Sequence, residues 1–203
     1  MTKKLFLFLL LFLPVSLSSQ NIDIRILRSL NSSQTLPSDK FFQFVSNSDA
    51  YMVLGIPAAM GTIGLISHDD QLFRSACVTL AATAVSFGIT NAMKYSFNRE
   101  RPYVTYPDIT KKSNEESPSF PSGHTSIAFA TATSLTLAYP KWYVIVPSYT
   151  WAGTVGYSRM HLGVHYPSDV LVSALIGAGS AWITFEINKK LNISSKKKLR
   201  AIN

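Results

Sequence analysis

Five stretches of the chain carry no Asp, Glu, Lys or Arg: Ala50–Ser67, Ser75–Met93, Thr125–Pro140, Trp142–Ser158 and Val170–Phe185, each 16 to 19 residues long. The two-residue alternation of a strand is nearly absent, so each stretch is expected to be a helix. At 1.5 Å per residue such helices reach ~24–29 Å, just under the ~30 Å hydrocarbon core of a bilayer. They are rich in Ala, Ser, Thr and Gly, which suits close helix contact in lipid and a soluble helical bundle alike. Another apolar run, Leu5–Leu13, follows Lys3 and Lys4 and precedes Pro14 and the small residues Ser16, Ser18 and Ser19. That order predicts a secretory signal peptide or an uncleaved signal anchor over residues 1–19.

The expected fold is therefore an all-α helical bundle with five or six transmembrane helices. Its parts are the signal segment 1–19, an exported polar segment 20–49 with an amphipathic stretch around Ile22–Leu30, a helical domain over 50–187, and a basic cytoplasmic tail over 188–203. The 203 residues are 47% hydrophobic and 15% charged, which excludes disorder and lies well below the ~25% charge usual for soluble domains. The net charge of +8 is concentrated in the tail, where Lys189, Lys190, Lys196, Lys197, Lys198 and Arg200 face no acid after Glu186. On charge alone such a tail could hold nucleic acid. Following an apolar helix directly, it fits a cytoplasmic membrane flank better, and no nucleic-acid partner is expected. Alternation from an exported first segment puts connectors 67–74 and 139–142 in the cytoplasm with the tail. Loop 94–119 then lies outside although it is basic, an exception that asks for a functional reason. The single cysteine, Cys77, excludes an intrachain disulfide and any Cys-clustered metal site, and reads as a small packing residue.

Chemistry concentrates in three connectors on that same side. In the first, Lys94 and Arg101 stand seven positions apart at a helix end, with Pro102 expected to stop the helix, and can converge on one anion. In the second, Pro121-Ser122-Gly123-His124 opens a helix, with Ser122 a candidate N-cap and the free N–H groups an anion site. Gly123 lets the backbone approach a ligand closely. In the third, Pro167 suits the first turn of the last helix, which places His165 just before it and Asp169 inside its start. The four-residue spacing of His161, His165 and Asp169 invites a metal-binding stripe. A continuous helix there would hold Gly163 and Pro167 in its interior, at ~3 kcal/mol for the proline. Lys94, Arg101, Arg159, two histidines, an aspartate and two helix N-termini form an inventory for phosphoryl transfer without a metal. One histidine can attack phosphorus if an acid holds its tautomer, and the other can protonate the departing oxygen.

The segments K-x6-R-P, P-S-G-H and S-R-x5-H-x3-D, in this order, resemble the three-part signature of the type-2 phosphatidic acid phosphatase superfamily, which also contains class A acid phosphatases and vanadium haloperoxidases. Every signature position is filled between Lys94 and Asp169. The resemblance implies an all-helical fold, six membrane helices in its lipid-phosphatase branch, and a site at the outer, periplasmic face of a bacterial inner membrane. It implies His165 as a nucleophile forming a phosphohistidine, Asp169 as its orienting acid, and His124 as general acid that later helps activate water. Lys94, Arg101, Ser122, the Gly123 backbone and Arg159 would hold the phosphate, with no metal or other cofactor.

The leading expectation is an integral-membrane phosphatase whose partner is a phosphorylated lipid or polyprenyl pyrophosphate. A soluble periplasmic acid phosphatase, vanadate-dependent halide oxidation and a noncatalytic scaffold are the alternatives. His161 matches no signature position, and Tyr103, Tyr106 and Trp142 suit either an interface or packing.

Overall fold

The computed structural model describes residues 16–202, with side chains over 22–191. Every regular element among these is a helix: α1 (Ser16–Leu30), α2 (Pro37–Ile66), α3 (Asp70–Phe97), the single turn α4 (Pro102–Thr105), α5 (Gly123–Ala138), α6 (Trp142–His161) and α7 (Pro167–Ile202). Residues 1–15, the head of the expected signal segment, lie outside the described residues.

Helix ends follow local chemistry. Pro37 opens α2, with Asp39 accepting from the Leu36 N–H at 2.9 Å. Asp69 caps α3 by accepting from Gln71 and Leu72 N–H groups at 3.0 and 2.9 Å. That helix stops at Asn98, whose φ of 46° is the left-handed conformation asparagine tolerates. Pro102 instead opens α4, so the stop falls earlier than its position suggests. Between α6 and α7, Gly163 has φ +72°, and a Cβ there would lie 2.8 Å from the Asn31 amide. That turn breaks the histidine stripe, and Pro167 begins the next helix as expected.

Size is sorted inside out. Most buried positions of α3 and α5 are small, among them Thr79, Ala128, Ala130, Thr131 and Ala132, as are Ala152 of α6 and Ser173 of α7, whereas Leu54, Ile66, Phe87, Leu175 and Trp182 are all more than half exposed. Water would drive those large side chains inward, so this arrangement suits a lipid surround in which small residues let helices approach. A Cβ on Gly177 of α7 would sit 2.8 Å from the Ala130 N of α5. Cys77 is exposed on α3 and does not pack in the interior.

Among the described residues three segments are long and apolar enough to cross a membrane: Pro37–Ile66, Asp70–Thr105 and Pro167–Leu191. The first extends past the charge-free stretch because Asp49 lies inside α2 and is buried, so residues 37–49 continue directly into 50–66. α5, with 16 residues, is the central helix, packed on α3, α6 and α7. The up-and-down order leaves connectors 67–69 and 139–141 at one end. Loops 31–36, 98–122 and 162–166 gather at the other.

Candidate active site

Lys94 ends α3, Arg101 precedes α4, Ser122 and His124 begin α5, Arg159 ends α6, His165 lies in the following loop, and Asp169 is in the first turn of α7. All are thus brought to one end of the bundle. Lys94, Gly123, His124 and His165 line a cavity of about 220 Å³ together with Asp49 and Glu115. A larger open recess of about 500 Å³, lined by Gln43, Asn47, Lys111, Lys112, Ser113 and Asn114, contains no histidine or carboxylate for proton transfer.

His165 is fully buried between two fixed partners. Its Nδ1 faces Asp169 Oδ2 at 3.4 Å and its Nε2 faces Arg101 Nη1 at 3.4 Å. A guanidinium can only donate, so Nε2 is the accepting nitrogen and Nδ1 carries the proton. Burial, followed by the charges of Arg101, Arg159 and Lys94, holds the ring well below the ordinary histidine range. It is a neutral imidazole with a lone pair on the Arg101 side.

Asp169 is the most heavily bonded acid at this end. Its Oδ2 accepts from Ser119 Oγ at 2.5 Å and from the Tyr166 N–H at 3.0 Å, besides facing His165. Its Oδ1 accepts from Arg99 Nη1 at 2.6 Å. Arg99 also reaches Asp23 Oδ2 at 3.2 Å and Ser168 Oγ at 2.9 Å, and lies over the Tyr166 ring at 3.8 Å. His124 is looser. Its side chain is 30% exposed, and Nε2 stands 3.8 Å from Asp49 Oδ2, beyond hydrogen-bond reach.

The expected anion holders divide into three kinds. Lys94 Nζ donates to the Pro118 carbonyl at 2.5 Å, and Arg101 donates to the Ser117 and Val164 carbonyls at 2.8 and 2.9 Å. These bonds fix both cations without neutralising them. Arg159 is fully buried, bonded to Ser46 Oγ and Glu115, yet its Nε has no partner among the described residues. Ser122 is the exception, since its hydroxyl accepts from Thr125 Oγ1 at 3.0 Å and caps nothing. The first N–H groups of α5 are therefore left without a side-chain cap, available to a ligand.

Sequence reasoning missed Glu115, Asp49, Arg99, Ser119 and Asp23. Glu115 Oε2 lies 3.4 Å from Arg101 Nη2, and its Oε1 pairs with Arg159. Burial would raise the Glu115 carboxyl, but the charges of Arg159, His124 and Arg101 outweigh it and hold it below the usual range. It is an ionised carboxylate between two arginines. Its one sequence signal is an acidic pair, Glu115-Glu116, within a basic loop. His161 is not among the residues that line the cavity; its Nε2 is 2.7 Å from Asp39 Oδ1, and Asp39 Oδ2 pairs with Lys112 at 3.0 Å.

Residues 75–193 match the family model for the PAP2 superfamily. The chain is 41% identical over 97 residues to a lipid A 1-phosphatase of Porphyromonas gingivalis, a match covering 46% of this chain and 19% of that protein. It is 28% identical over 185 residues to an undecaprenyl-diphosphatase of Sulfolobus acidocaldarius, covering 89% of this chain and 85% of that one. The crystal structure of a transmembrane PAP2-type phosphatidylglycerolphosphate phosphatase from Bacillus subtilis has the same fold, with a TM-score of 0.75 at 23% identity over 92% of this chain and 95% of that one. The first of these relatives is thus far longer than the matched region. With three apolar helices of spanning length, this kinship makes the protein a membrane protein. The family match covers more than half of the sequence and includes all three motifs, so the chain belongs to the PAP2 superfamily.

Proposed function

We propose that the protein is a metal-independent phosphatase that hydrolyses the phosphate monoester or pyrophosphate of a membrane lipid through a phosphohistidine on His165. The observation that carries this reading is His165 itself, a buried neutral ring between Asp169 and Arg101. In the first step the Nε2 lone pair attacks phosphorus, the P–O bond to the lipid breaks, and His124 gives its proton to the departing oxygen. Asp169 stabilises the charge gained by the His165 ring. In the second step water attacks the phosphohistidine, His124 takes the water proton, and inorganic phosphate leaves. Lys94, Arg101, Arg159 and the α5 N-terminus balance the charge on the phosphoryl oxygens, so the step needs no metal ion. Arg159 Nε, buried and without a hydrogen-bond partner among the described residues, is a donor left for one of these oxygens.

A lipid substrate is supported by the outward apolar side chains, by the membrane lipids named in the relatives' descriptions, and by the small cavity, which is sized for a phosphoryl group rather than a whole lipid. The basic tail supports an outward-facing, periplasmic site, since it and the loops of the site lie at opposite ends of α7. The test is phosphate release by detergent-purified protein from phosphatidic acid, phosphatidylglycerol phosphate, a polyprenyl pyrophosphate and lipid A, with and without EDTA. Turnover of at least one lipid that EDTA leaves intact is expected. Activity only on soluble esters, or only with added Mg2+, would overturn the reading.

A further inference from the structure

The network behind Asp169 reaches beyond the residues of the proposed reaction. The Asp169 side chain is fully buried, and its ion pairs among the described residues are with Arg99 and His165. A buried carboxylate stays ionised only where a counter-charge and hydrogen bonds replace water. Of the two partners, Arg99 holds Oδ1 at 2.6 Å whereas His165 stands at 3.4 Å from Oδ2. Arg99 holds Oδ1 and supplies the counter-charge, and together with Ser119 and the Tyr166 N–H on Oδ2 it keeps Oδ2 turned to Nδ1 of the nucleophile.

Arg99 is itself fixed on several sides. It is held by Asp23 Oδ2 and Ser168 Oγ and stacked on Tyr166 at 3.8 Å. Asp23 belongs to α1 and is 5% exposed. It also accepts from the Ser168 N–H at 3.0 Å with Oδ1 and from the Ser168 hydroxyl with Oδ2. A carboxylate from one helix thus caps the first turn of another, next to Asp169. Arg99 sits between the signature positions Lys94 and Arg101, and Asp23 precedes the matched residues 75–193.

We propose that Arg99 and Asp23 are positioning residues for the Asp169–His165 pair, making the N-terminal helix part of the catalytic apparatus. This rests on the phosphohistidine reading above. Arg99 sets the charge and orientation of Asp169, and Asp23 sets Arg99. Neither touches the substrate, so their loss acts on the chemical step and leaves phosphate binding alone.

The test uses the full chain in detergent, with Arg99→Ala, Arg99→Lys, Asp23→Asn and the double variant Arg99→Ala/Asp23→Asn, assayed on the best lipid substrate and with inorganic phosphate as competitor. Arg99→Ala should lower kcat about 100-fold and Asp23→Asn about 10-fold, the range for residues that orient a reacting group through another. KM and the inhibition constant of phosphate should stay within about twofold. Arg99→Lys should recover about 10-fold in kcat over Arg99→Ala, since one ammonium reaches one carboxylate oxygen. The double variant should match Arg99→Ala, because Asp23 acts through Arg99. Unchanged kcat in Arg99→Ala, or KM and phosphate inhibition weakening as much as kcat, overturns the proposal. If Arg99→Ala does not fold, the same split is read from Arg99→Lys and Asp23→Asn, and unchanged kcat in both overturns it. Wild-type turnover and its loss in His165→Ala, measured alongside, report on the phosphohistidine reading separately.

Discussion

The two walls of the cavity hold the same side chain in opposite surroundings. On the wall made by α6 and α7, His165 is fully buried, with Asp169 on one nitrogen and Arg101 on the other. On the wall made by α2 and α5, His124 stands in a first helical turn with 30% of its side chain exposed and its nearest carboxylate 3.8 Å away. The clamped ring can neither turn nor readily take up a proton, which suits a nucleophile. The loose ring reaches solvent, from which an acid can be recharged each cycle. Burial and the charge of Arg159 hold its pKa down to about 4 in the ligand-free protein, so it takes up its proton once a phosphoryl anion offsets those charges. In the proposed reaction, environment, not residue type, divides the two roles.

Removing the clamped ring should have the largest effect. His165→Ala should leave no turnover above background in a protein that still folds, measured by phosphate release beside the thermal midpoint; near-wild-type hydrolysis would remove the nucleophile. Asp169→Asn keeps the shape but not the charge that holds Nδ1–H, and should cost about 10⁴-fold in kcat by analogy with the aspartate of a serine-protease triad. His124→Ala should cost about 10²–10⁴-fold on a lipid substrate. On p-nitrophenyl phosphate, whose leaving group departs without a proton, the loss should be much smaller. Equal losses on both substrates would contradict the division of labour.

Two effects on stability sharpen the contrast. Glu115→Gln leaves the buried Arg159 guanidinium without its acid, which should cost about 3–5 kcal/mol of ligand-free stability. Inorganic phosphate should raise the thermal midpoint of this variant more than that of the wild type. The smallest effect is that of pH. His165 binds its proton less readily in the folded chain than when unfolded, so acidification protonates the unfolded chain first. Its contribution is constant above about pH 7 and lost as the pH falls through and below the ordinary histidine range. The midpoint should drop toward acid, and less steeply in His165→Ala; the same slope in both would assign the loss to other groups.

What was legible in the sequence was the set of residues that the structure gathers at one end of the bundle and that the proposed reaction uses. Lys94, Arg101, His124, Arg159, His165 and Asp169 lie at helix ends, where spacing and breakers such as Pro167 fix their placement. What was not legible depends on distant contacts. Glu115 reads as a solvated loop acid until α6 brings Arg159 to it, and Asp23 reads as part of an exported stretch until α1 lands on the start of α7. Asp49 shows the limit most clearly. Counting charges ends a membrane helix there, whereas the carboxylate is buried beside the cavity and the helix continues through it. Ser122 was placed correctly at a helix start, but its hydroxyl bonds Thr125 because that partner sits one turn along the same helix.

The central claim is most directly tested by rapid-quench trapping with a lipid substrate carrying radiolabelled phosphate, followed by mapping of the labelled peptide. The account predicts a base-stable, acid-labile label on His165 that appears within one turnover and is absent from His165→Ala. Label on another residue, or steady hydrolysis by His165→Ala with no labelled protein, would contradict it.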